Sequence, residues 1–351
     1  MGIKQELWQD KKVLVTGHTG FKGSWLTLML SELGAKVVGL ALSPTETQSL
    51  YIDAKVSSLL EREYIQDIRN QPEINRIFEN ESIDYVIHLA AQAFVRNSVR
   101  DPLESITTNI TGTANVVLGA LKSKTVSGIV VTTTDKVYKN LDWEWPYRES
   151  DTLGGNDPYS ASKAASELIV NALATSNNPR EIPVTTVRAG NVIGGGDWGE
   201  ERLVPDLIRS IMSSSVLTIR NANATRPWQY VLDCLYGYIL VAQAHLERQI
   251  HLPNAFNFGP KDSLTVAELV GLFEESLNRQ IPCEVLESNI QEHGRLALDS
   301  HRAESLLGWK PSLSPRQSIV QTADWYSKFI AGGDAQDLMR DEVTKHRGNV
   351  W

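Results

Sequence analysis

Short apolar runs alternate with longer segments of helical periodicity along the first half of the chain. The apolar runs predict strands at Lys12–Thr16, Lys36–Ala41, Asp84–Ala90, Gly128–Thr132 and Val184–Arg188. The segments between and after them predict helices at Ser24–Leu33, Gln71–Asn80, Pro102–Leu121 and Pro158–Leu173. Strands that alternate with helices form a parallel sheet covered on both faces. Strands of that kind are apolar along nearly their whole length, as these are.

The pattern changes after Ala189, where a glycine cluster and loops containing Trp and Pro interrupt the alternation. We expect residues 1–190 to form an α/β domain with a Rossmann-like, doubly wound parallel sheet, which residues from about 233–260 rejoin. Residues 191–232 and 261–332 then form a smaller C-terminal lobe, and the substrate lies between the two units. Residues 333–351 are polar and charged, and they predict an exposed tail.

A glycine-rich turn joins the first predicted strand to the first predicted helix, with Gly17, Gly20 and Gly23 in it. Glycines in this arrangement allow a tight turn, let the backbone approach a pyrophosphate, and pack the helix against the strand. The free N–H groups at the start of the helix then face the phosphates. The turn predicts a dinucleotide-binding site, where His18 and Lys22 are either solvated or in contact with cofactor phosphate.

The end of the second predicted strand bears on the choice between NAD and NADP. An Asp or Glu at that position holds the ribose 2′-hydroxyl of NAD. The segment Leu40–Pro44 contains neither residue, so this position does not favour NAD. Asp67 and Ile68, further along the chain, are either a contact for the adenine or a surface turn.

Tyr159 and Lys163 are one helical turn apart in the helix predicted at Pro158–Leu173, and they share one face of it. A nearby ammonium stabilises a tyrosinate and lowers the pKa of the phenol from about 10 toward neutrality. A phenol in that state can take the proton of a sugar hydroxyl. Because the pair follows a dinucleotide turn, it predicts an acid–base site.

Composition narrows the class of protein further. The 351 residues are 42% hydrophobic and 22% charged, as in an ordinary globular protein, and the formal net charge is −8. That charge argues against a nucleic-acid or membrane-surface binder. No stretch is apolar enough for a signal peptide or a membrane span, so we expect a cytoplasmic protein. The two cysteines, Cys234 and Cys283, predict core residues and neither a disulfide framework nor a metal site.

Four motifs together resemble the extended short-chain dehydrogenases/reductases that act on nucleotide sugars: Thr16–Gly23, His88–Gln92, Thr108–Thr113 and the Tyr159/Lys163 pair. The similarity continues through Asn257–Gly259 and Leu307–Pro311, and so covers nearly the whole chain. Within that family, Thr133–Tyr138 resembles the Thr-Asp-Glu element of the 4,6-dehydratases, with Lys136 in place of Glu. This replacement, the glycine turn and the segment Arg188–Trp198 are similar to the branch that acts on CDP-glucose.

The resemblance implies an NAD-dependent, three-stage dehydration of CDP-glucose to CDP-4-dehydro-6-deoxy-glucose, a step of deoxysugar and O-antigen polysaccharide biosynthesis. Tyr159 takes the C4 hydroxyl proton, and Thr134 hydrogen-bonds the C4 oxygen. Asp135 protonates the departing C6 hydroxyl. Lys136 is the C5 base if burial and nearby cations lower its pKa; otherwise it stabilises the enolate as a cation.

The same resemblance implies the binding residues and a homodimer formed by the helices at Pro102–Leu121 and Pro158–Leu173. Cofactor contacts are expected from Gly17, His18, Gly20, Phe21, Lys22, Gly23, Asp67, Ile68, Leu89, Ala90, Ala91, Gln92, Thr108, Thr132, Tyr159 and Lys163. Substrate contacts are expected from Asn191, which matches the family position that contacts the diphosphate, and from Asn257. Because the planar fork of Arg donates two parallel bonds to phosphate, Arg202, Arg226 and Arg295 are candidate phosphate or ribose contacts, although Arg295 lies where this sequence diverges from the family. Trp228 either stacks on the base or packs in the core.

Two other functions fit parts of the pattern. A nucleotide-sugar 4-epimerase needs the same Tyr159 and Lys163 but no group for elimination, so Asp135 and Lys136 disfavour it. A non-catalytic dinucleotide sensor on the same fold has no need of Thr134, Tyr159 or Lys163.

Overall fold

The computed structural model describes residues 2–44, 48–249, 252–285 and 296–351. The strands are β1 (Lys12–Thr16), β2 (Lys36–Ala41), β3 (Leu60–Ile65), β4 (Tyr85–His88), β5 (Ile129–Thr132), β6 (Val184–Ala189), β7 (Val192–Ile193), β8 (Leu217–Ile219), β9 (Thr225–Arg226), β10 (Gln229–Tyr230), β11 (Ala255–Phe258), β12 (Leu264–Thr265) and β13 (Cys283–Val285). The helices are α1 (Phe21–Glu32), α2 (Leu50–Asp53), α3 (Gln71–Asn80), α4 (Val95–Arg100), α5 (Pro102–Ile106), α6 (Thr113–Lys122), α7 (Pro158–Ser176), α8 (Leu203–Ser213), α9 (Val231–Leu246), α10 (Val266–Leu277), α11 (His301–Leu307), α12 (Pro315–Ile330) and α13 (Ala335–Val350).

A seven-stranded parallel sheet lies at the centre, in the order β11-β6-β5-β4-β1-β2-β3. Apolar side chains of α1 and α9 pack on one face of it. Those of α3, α6 and α7 pack on the other face. The predicted Rossmann-like, doubly wound α/β fold is therefore confirmed. The predicted division of the chain into lobes stays a prediction, although β11 adds a late segment to the edge of the main sheet.

The order of the strands reverses between β1 and β4, since the chain runs outward from β1 to β3 and then crosses to β4. At such a switch point the loops after the two strands diverge and leave a crevice at their carboxyl ends. The glycine turn follows β1, and Leu89 and Ala90 follow β4, so both line this crevice.

Two elements differ from the predicted pattern. The helix predicted at Pro102–Leu121 contains a π-helical segment, Thr107–Gly112, between α5 and α6. Wider turns of this kind often lie at functional sites, and Thr108 within it borders the crevice. The strand β3 was not predicted as a strand, because it lies at the edge of the sheet and carries Glu61, Arg62 and Glu63.

The chain after Gly332 is not the exposed tail that its composition predicts. Residues Ala335–Val350 form α13, with Met339, Val343 and His346 buried. Nε2 of His346 lies 2.9 Å from Oδ1 of Asp233 in α9. The expectation was wrong because the few apolar residues recur every three or four positions, and a narrow buried stripe is enough to dock a helix.

The prediction that both cysteines are core residues is half correct. Cys234 is buried in α9, whereas Cys283 is exposed on the short strand β13.

In the described part of the chain no helix is both long and apolar enough to cross a membrane.

Candidate active site

A cavity of about 1150 Å³ opens at the switch point and extends toward α8, β8 and β9. It collects most of the predicted site residues, although they come from many separate segments of the chain. Those that line it are Gly17, Gly20, Phe21, Lys22, Gly23, Asp67, Ile68, Leu89, Ala90, Ala91, Gln92, Thr108, Thr132, Thr134, Asp135, Lys136, Tyr159, Lys163, Asn191, Arg202 and Arg226.

The glycine turn is shaped as a cradle for a pyrophosphate. Gly17 has a φ of +74°, and a Cβ there would lie 2.8 Å from the backbone nitrogen of Ala90. A Cβ on Gly23 would lie 2.0 Å from the carbonyl oxygen of Gly17. Only glycine fits at either position, and α1 begins immediately beyond the turn with its free N–H groups. The residues present therefore fit a dinucleotide.

His18 is neither solvated nor in the cavity, so the prediction that its side chain contacts cofactor phosphate is wrong. The ring is buried, and its Nε2 lies 2.7 Å from Oε1 of Glu63 on β3. It packs so closely on β2 that a Cβ on Gly39 would lie 2.8 Å from the ring. Burial lowers the pKa of His18, and Glu63 opposes that decrease. The side chain ties the glycine turn to the edge of the sheet.

Lys22, the other cation of the turn, lines the cavity. Its ammonium donates to the hydroxyl of Tyr238 over 3.4 Å and lies 5.7 Å from the centre of that ring. The side chain is half-buried, which places a positive charge at the floor of the cavity.

Tyr159 and Lys163 project from α7, which begins with Pro158 after Asp157 caps its first turn. The ammonium of Lys163 donates to the carbonyl oxygen of Thr132 over 2.9 Å. Burial lowers the pKa of Lys163 to about 8.

Burial raises the pKa of Tyr159 to about 12, while the Thr134 hydrogen bond and the charge of Arg202 oppose the increase. The predicted decrease toward neutrality is wrong for the protein without a bound ligand. The loss of hydration of a buried phenolate outweighs the positive charges that the described residues place near it.

The turn after β5 brings Thr134, Asp135 and Lys136 into the cavity. Thr134 and Asp135 are buried, and the hydroxyl of Thr134 donates to Oδ1 of Asp135 over 2.9 Å. Burial raises the pKa of Asp135, and Lys136 and Thr134 oppose this. Lys136 is exposed to the cavity. Its two predicted roles, as the C5 base and as a cation that stabilises the enolate, both stay predictions.

Most of the predicted substrate residues lie at the cavity. Asn191, Arg202 and Arg226 line the cavity, as does Trp228. Arg202 pairs with Asp197 over 3.0 Å and lies over the ring of Phe94. Trp228 is buried and donates from its indole to the carbonyl oxygen of Leu264 over 3.2 Å.

Asn257 was predicted to contact substrate, and the structure contradicts this. Its side chain is fully buried, donates to the carbonyl oxygen of Tyr147 over 2.8 Å and accepts from the hydroxyl of Tyr138 over 2.7 Å. Its amide nitrogen also donates to the carbonyl oxygen of Asp299 over 3.1 Å, so the side chain serves the fold. Arg295 lies outside the described residues.

Several cavity residues had no signal in the sequence. At one end, Arg69 borders the cavity and makes a bidentate ion pair with Asp67, from Nε to Oδ1 over 3.1 Å and from Nη2 to Oδ2 over 2.6 Å. At the other end, Arg220 and Asn221 follow β8. Isolated polar residues in loops carry no periodicity, so only their position in the fold identifies them.

A dinucleotide cradle at the switch point, with Tyr159 and Lys163 beside it, defines the class of short-chain dehydrogenases/reductases. A family model described as GDP-mannose 4,6 dehydratase matches residues 14–322. The chain belongs to this family of enzymes, which confirms the membership that the motifs predict.

Individual relatives support the assignment to this family. The chain is 36% identical over 356 residues to a CDP-glucose 4,6-dehydratase of Salmonella typhimurium, covering 98% of each chain. It is 26% identical to a UDP-glucose 4-epimerase of Halalkalibacterium halodurans, over 91% of this chain and 97% of the relative. A solved dTDP-glucose 4,6-dehydratase of Streptomyces venezuelae has the same fold, with a TM-score of 0.78, 24% identity, and coverage of 90% of this chain and 97% of the other.

Proposed function

We propose that this chain catalyses the NAD-dependent dehydration of CDP-glucose to CDP-4-dehydro-6-deoxy-glucose and water. The observation that carries the proposal is the buried carboxyl of Asp135 in the same cavity as Tyr159 and Lys163. An epimerase moves a hydride without eliminating water and needs no such acid. The similarity over 98% of the chain to a CDP-glucose 4,6-dehydratase supports CDP-glucose as the substrate.

NAD fits the cradle formed by Gly17, Gly20 and Gly23, with Asp67 and Ile68 at the adenine end. Bound NAD supplies a hydride acceptor for C4 and, after elimination, the hydride that C6 receives. Calorimetry with NAD and NADP tests this choice. Tighter binding of NADP would contradict it.

The first stage, oxidation at C4, belongs to residues of α7 and of the turn after β5. Tyr159 takes the proton of the C4 hydroxyl. The hydroxyl of Thr134 has one proton to donate, so it turns from Oδ1 of Asp135 to donate a hydrogen bond to the C4 oxygen. Tyr159 becomes a base only when positive charge offsets the effect of its burial. Lys163, one turn away on α7, and Arg202 supply part of that charge, and the positive charge of oxidised nicotinamide would add to it when NAD is bound.

The second stage eliminates water across C5 and C6. The C4 carbonyl acidifies the C5 proton, and loss of that proton gives an enolate. Asp135 protonates the departing C6 hydroxyl, and its raised pKa keeps a larger share of the carboxyl in the proton-donating form. Lys136 stabilises the enolate as an ammonium, and water takes the C5 proton. When C6 receives its hydride, a proton from water returns to C5.

Product analysis separates the proposal from its rivals. The protein is incubated with NAD and each of the CDP, dTDP, UDP and GDP forms of glucose, and products are identified by NMR. A 4-keto-6-deoxy sugar formed fastest from CDP-glucose supports the proposal, with Tyr159→Phe as the inactive control. A preference for dTDP-glucose contradicts the substrate, a C4 epimer contradicts the reaction, and no turnover favours a sensor.

We also propose a cytoplasmic homodimer that serves deoxysugar and O-antigen polysaccharide biosynthesis. Leu103 on α5 and Leu168 on α7 are 70% and 60% exposed, and the helices that carry them pack against each other. Light scattering during size-exclusion chromatography should give twice the monomer mass, and Leu168→Asp should give the monomer. A monomeric wild type would contradict the dimer.

A further inference from the structure

Helix α7 holds the end of β5 at two successive residues. Lys163 donates from its ammonium to the carbonyl oxygen of Thr132 over 2.9 Å. Glu167, one turn later on α7, accepts the hydroxyl of Thr133 on Oε1 over 2.5 Å. Thr134 and Asp135 follow directly. The position of these two groups in the cavity therefore depends on contacts made by α7.

Glu167 is fully buried and is the centre of a polar cluster behind the cavity. Arg188 of β6 donates to it from Nε over 2.9 Å and from Nη2 over 2.5 Å. The hydroxyl of Thr186 lies 3.3 Å from Oε2. A buried ion pair contributes less to stability than well-packed apolar residues of similar volume. A contribution to stability therefore does not by itself explain the buried pair of Glu167 and Arg188.

The charge of Glu167 also acts on Lys163. Burial lowers the pKa of Lys163 to about 8, Lys22 lowers it further, and Glu167 raises it. The charged groups that act on Lys163 are Glu167 on α7 and Lys22 on α1, and Lys163 in turn acts on His88 of β4. Tyr159 and Asp135 line the same cavity as Lys163. His88 is neutral, because burial and the charge of Lys163 lower its pKa to about 3.

We propose that Glu167 is a positioning residue of the reaction: it fixes the Thr134–Asp135 turn through the hydroxyl of Thr133, and its buried carboxylate, one turn from Lys163 on α7, is a counter-charge to that ammonium. This inference rests on the proposed function for the roles of Thr134, Asp135 and Lys163. Glu167 itself does not line the cavity and acts only through its neighbours.

Two matched variants test the first part. Thr133→Val removes a hydroxyl that donates to Glu167 over 2.5 Å. Thr186→Val removes a hydroxyl that lies 3.3 Å from Oε2 of Glu167 and 3.2 Å from the carbonyl oxygen of Asn254. Only Thr133 adjoins the turn. Thr133→Val should lower kcat about tenfold with KM within about twofold, since a small displacement of reacting groups affects kcat. Thr186→Val should stay within about twofold of wild type in both. Equal effects of the two variants overturn this part.

The pH profile tests the second part. Glu167→Gln should move the alkaline limb of kcat to lower pH by about one unit, because Lys163 loses the neighbouring negative charge. Glu167→Asp keeps the charge and should leave the limb in place, although kcat falls as the bond to Thr133 is lost. An unchanged limb in Glu167→Gln, with folding verified by circular dichroism, overturns this part.

A titration of Lys163 tests, without turnover, whether the charge of Glu167 acts on this lysine. NMR of ¹³C-lysine protein, assigned with Lys163→Met, should show that Lys163 loses its proton at lower pH in Glu167→Gln than in wild type. Equal titration in the two proteins overturns the role of the charge. If wild type turns over no nucleotide glucose, the proposed function fails, whereas this titration still tests the action of Glu167 on Lys163.

Discussion

The hydroxyl of Thr134 donates a 2.9 Å hydrogen bond to Oδ1 of Asp135, and the two side chains are 7% and 6% exposed. The bond holds the carboxyl of Asp135 next to the hydroxyl of Thr134, which is proposed to hydrogen-bond the C4 oxygen of the sugar. The proposed acid of the elimination and the proposed hydrogen-bond donor of the oxidation are thus adjacent residues of one turn. Variants of this turn should separate the two stages.

Asp135→Asn should leave oxidation in place and block elimination, because the amide has no acidic proton to give to the C6 hydroxyl. With CDP-glucose, stopped-flow absorbance should show reduced nicotinamide, while dehydrated product forms at least about 100-fold more slowly. Asp262→Asn, at an exposed position, is the control and should behave as wild type. Normal product formation by Asp135→Asn would assign the acid to another group.

Lys136→Ala should also form reduced nicotinamide with CDP-glucose and release little product, because the enolate loses its neighbouring cation. Tyr159→Phe should block both stages, since no hydride leaves C4 while the hydroxyl keeps its proton. Stopped-flow absorbance combined with product analysis distinguishes the two patterns. Near-normal product formation by Lys136→Ala would be compatible with the proposed dehydration but would contradict a role for Lys136 in it.

Arg226→Ala should raise KM for CDP-glucose much more than it lowers kcat, because a contact to the diphosphate contributes similar binding to substrate and transition state. Steady-state kinetics of Arg226→Ala and of Arg279→Ala, a change at an exposed position, should differ about tenfold or more in KM. An unchanged KM in Arg226→Ala would place this side chain outside the substrate contacts.

Lys163 should give the stability of the unliganded protein a characteristic pH dependence. Its pKa is about 8 in the fold and 10.5 in an unperturbed lysine side chain, so the unfolded chain binds more protons between these values. The contribution of this lysine to stability therefore rises with pH across that window, by roughly 3 kcal/mol in all. Compared with Lys163→Met, wild type should gain free energy of unfolding from pH 7 to pH 10 in urea titrations. A pH-independent difference would contradict the shift.

Helix α13 should behave as part of the core. Met339→Ala removes a fully buried side chain and should lower the free energy of unfolding by about 2–5 kcal/mol. Asp341→Ala, two residues on and exposed, should change it by less than about 0.5 kcal/mol. Denaturant titration measures both, and equal small effects would mean that the segment is an exposed tail after all.

The sequence by itself determined the sheet, the glycine turn and the Tyr159/Lys163 pair. Each depends on a local pattern: apolar runs for β1 and β2, helical spacing for α3, and glycine where a Cβ has no space. The polar edge strand β3 and the narrow buried stripe of α13 are weak local patterns, so neither was predicted.

Only the tertiary structure decided what the polar residues near those motifs do. His18 belongs to the glycine turn, yet Glu63, 45 residues away, turns its ring from the cofactor side to the sheet edge. Asn257 meets Tyr138 across 119 residues, and that contact makes it part of the fold. Glu167 became a candidate because Thr133 and Arg188 converge on it. A polar side chain is defined by the partners that satisfy it when buried, and those partners come from distant parts of the chain.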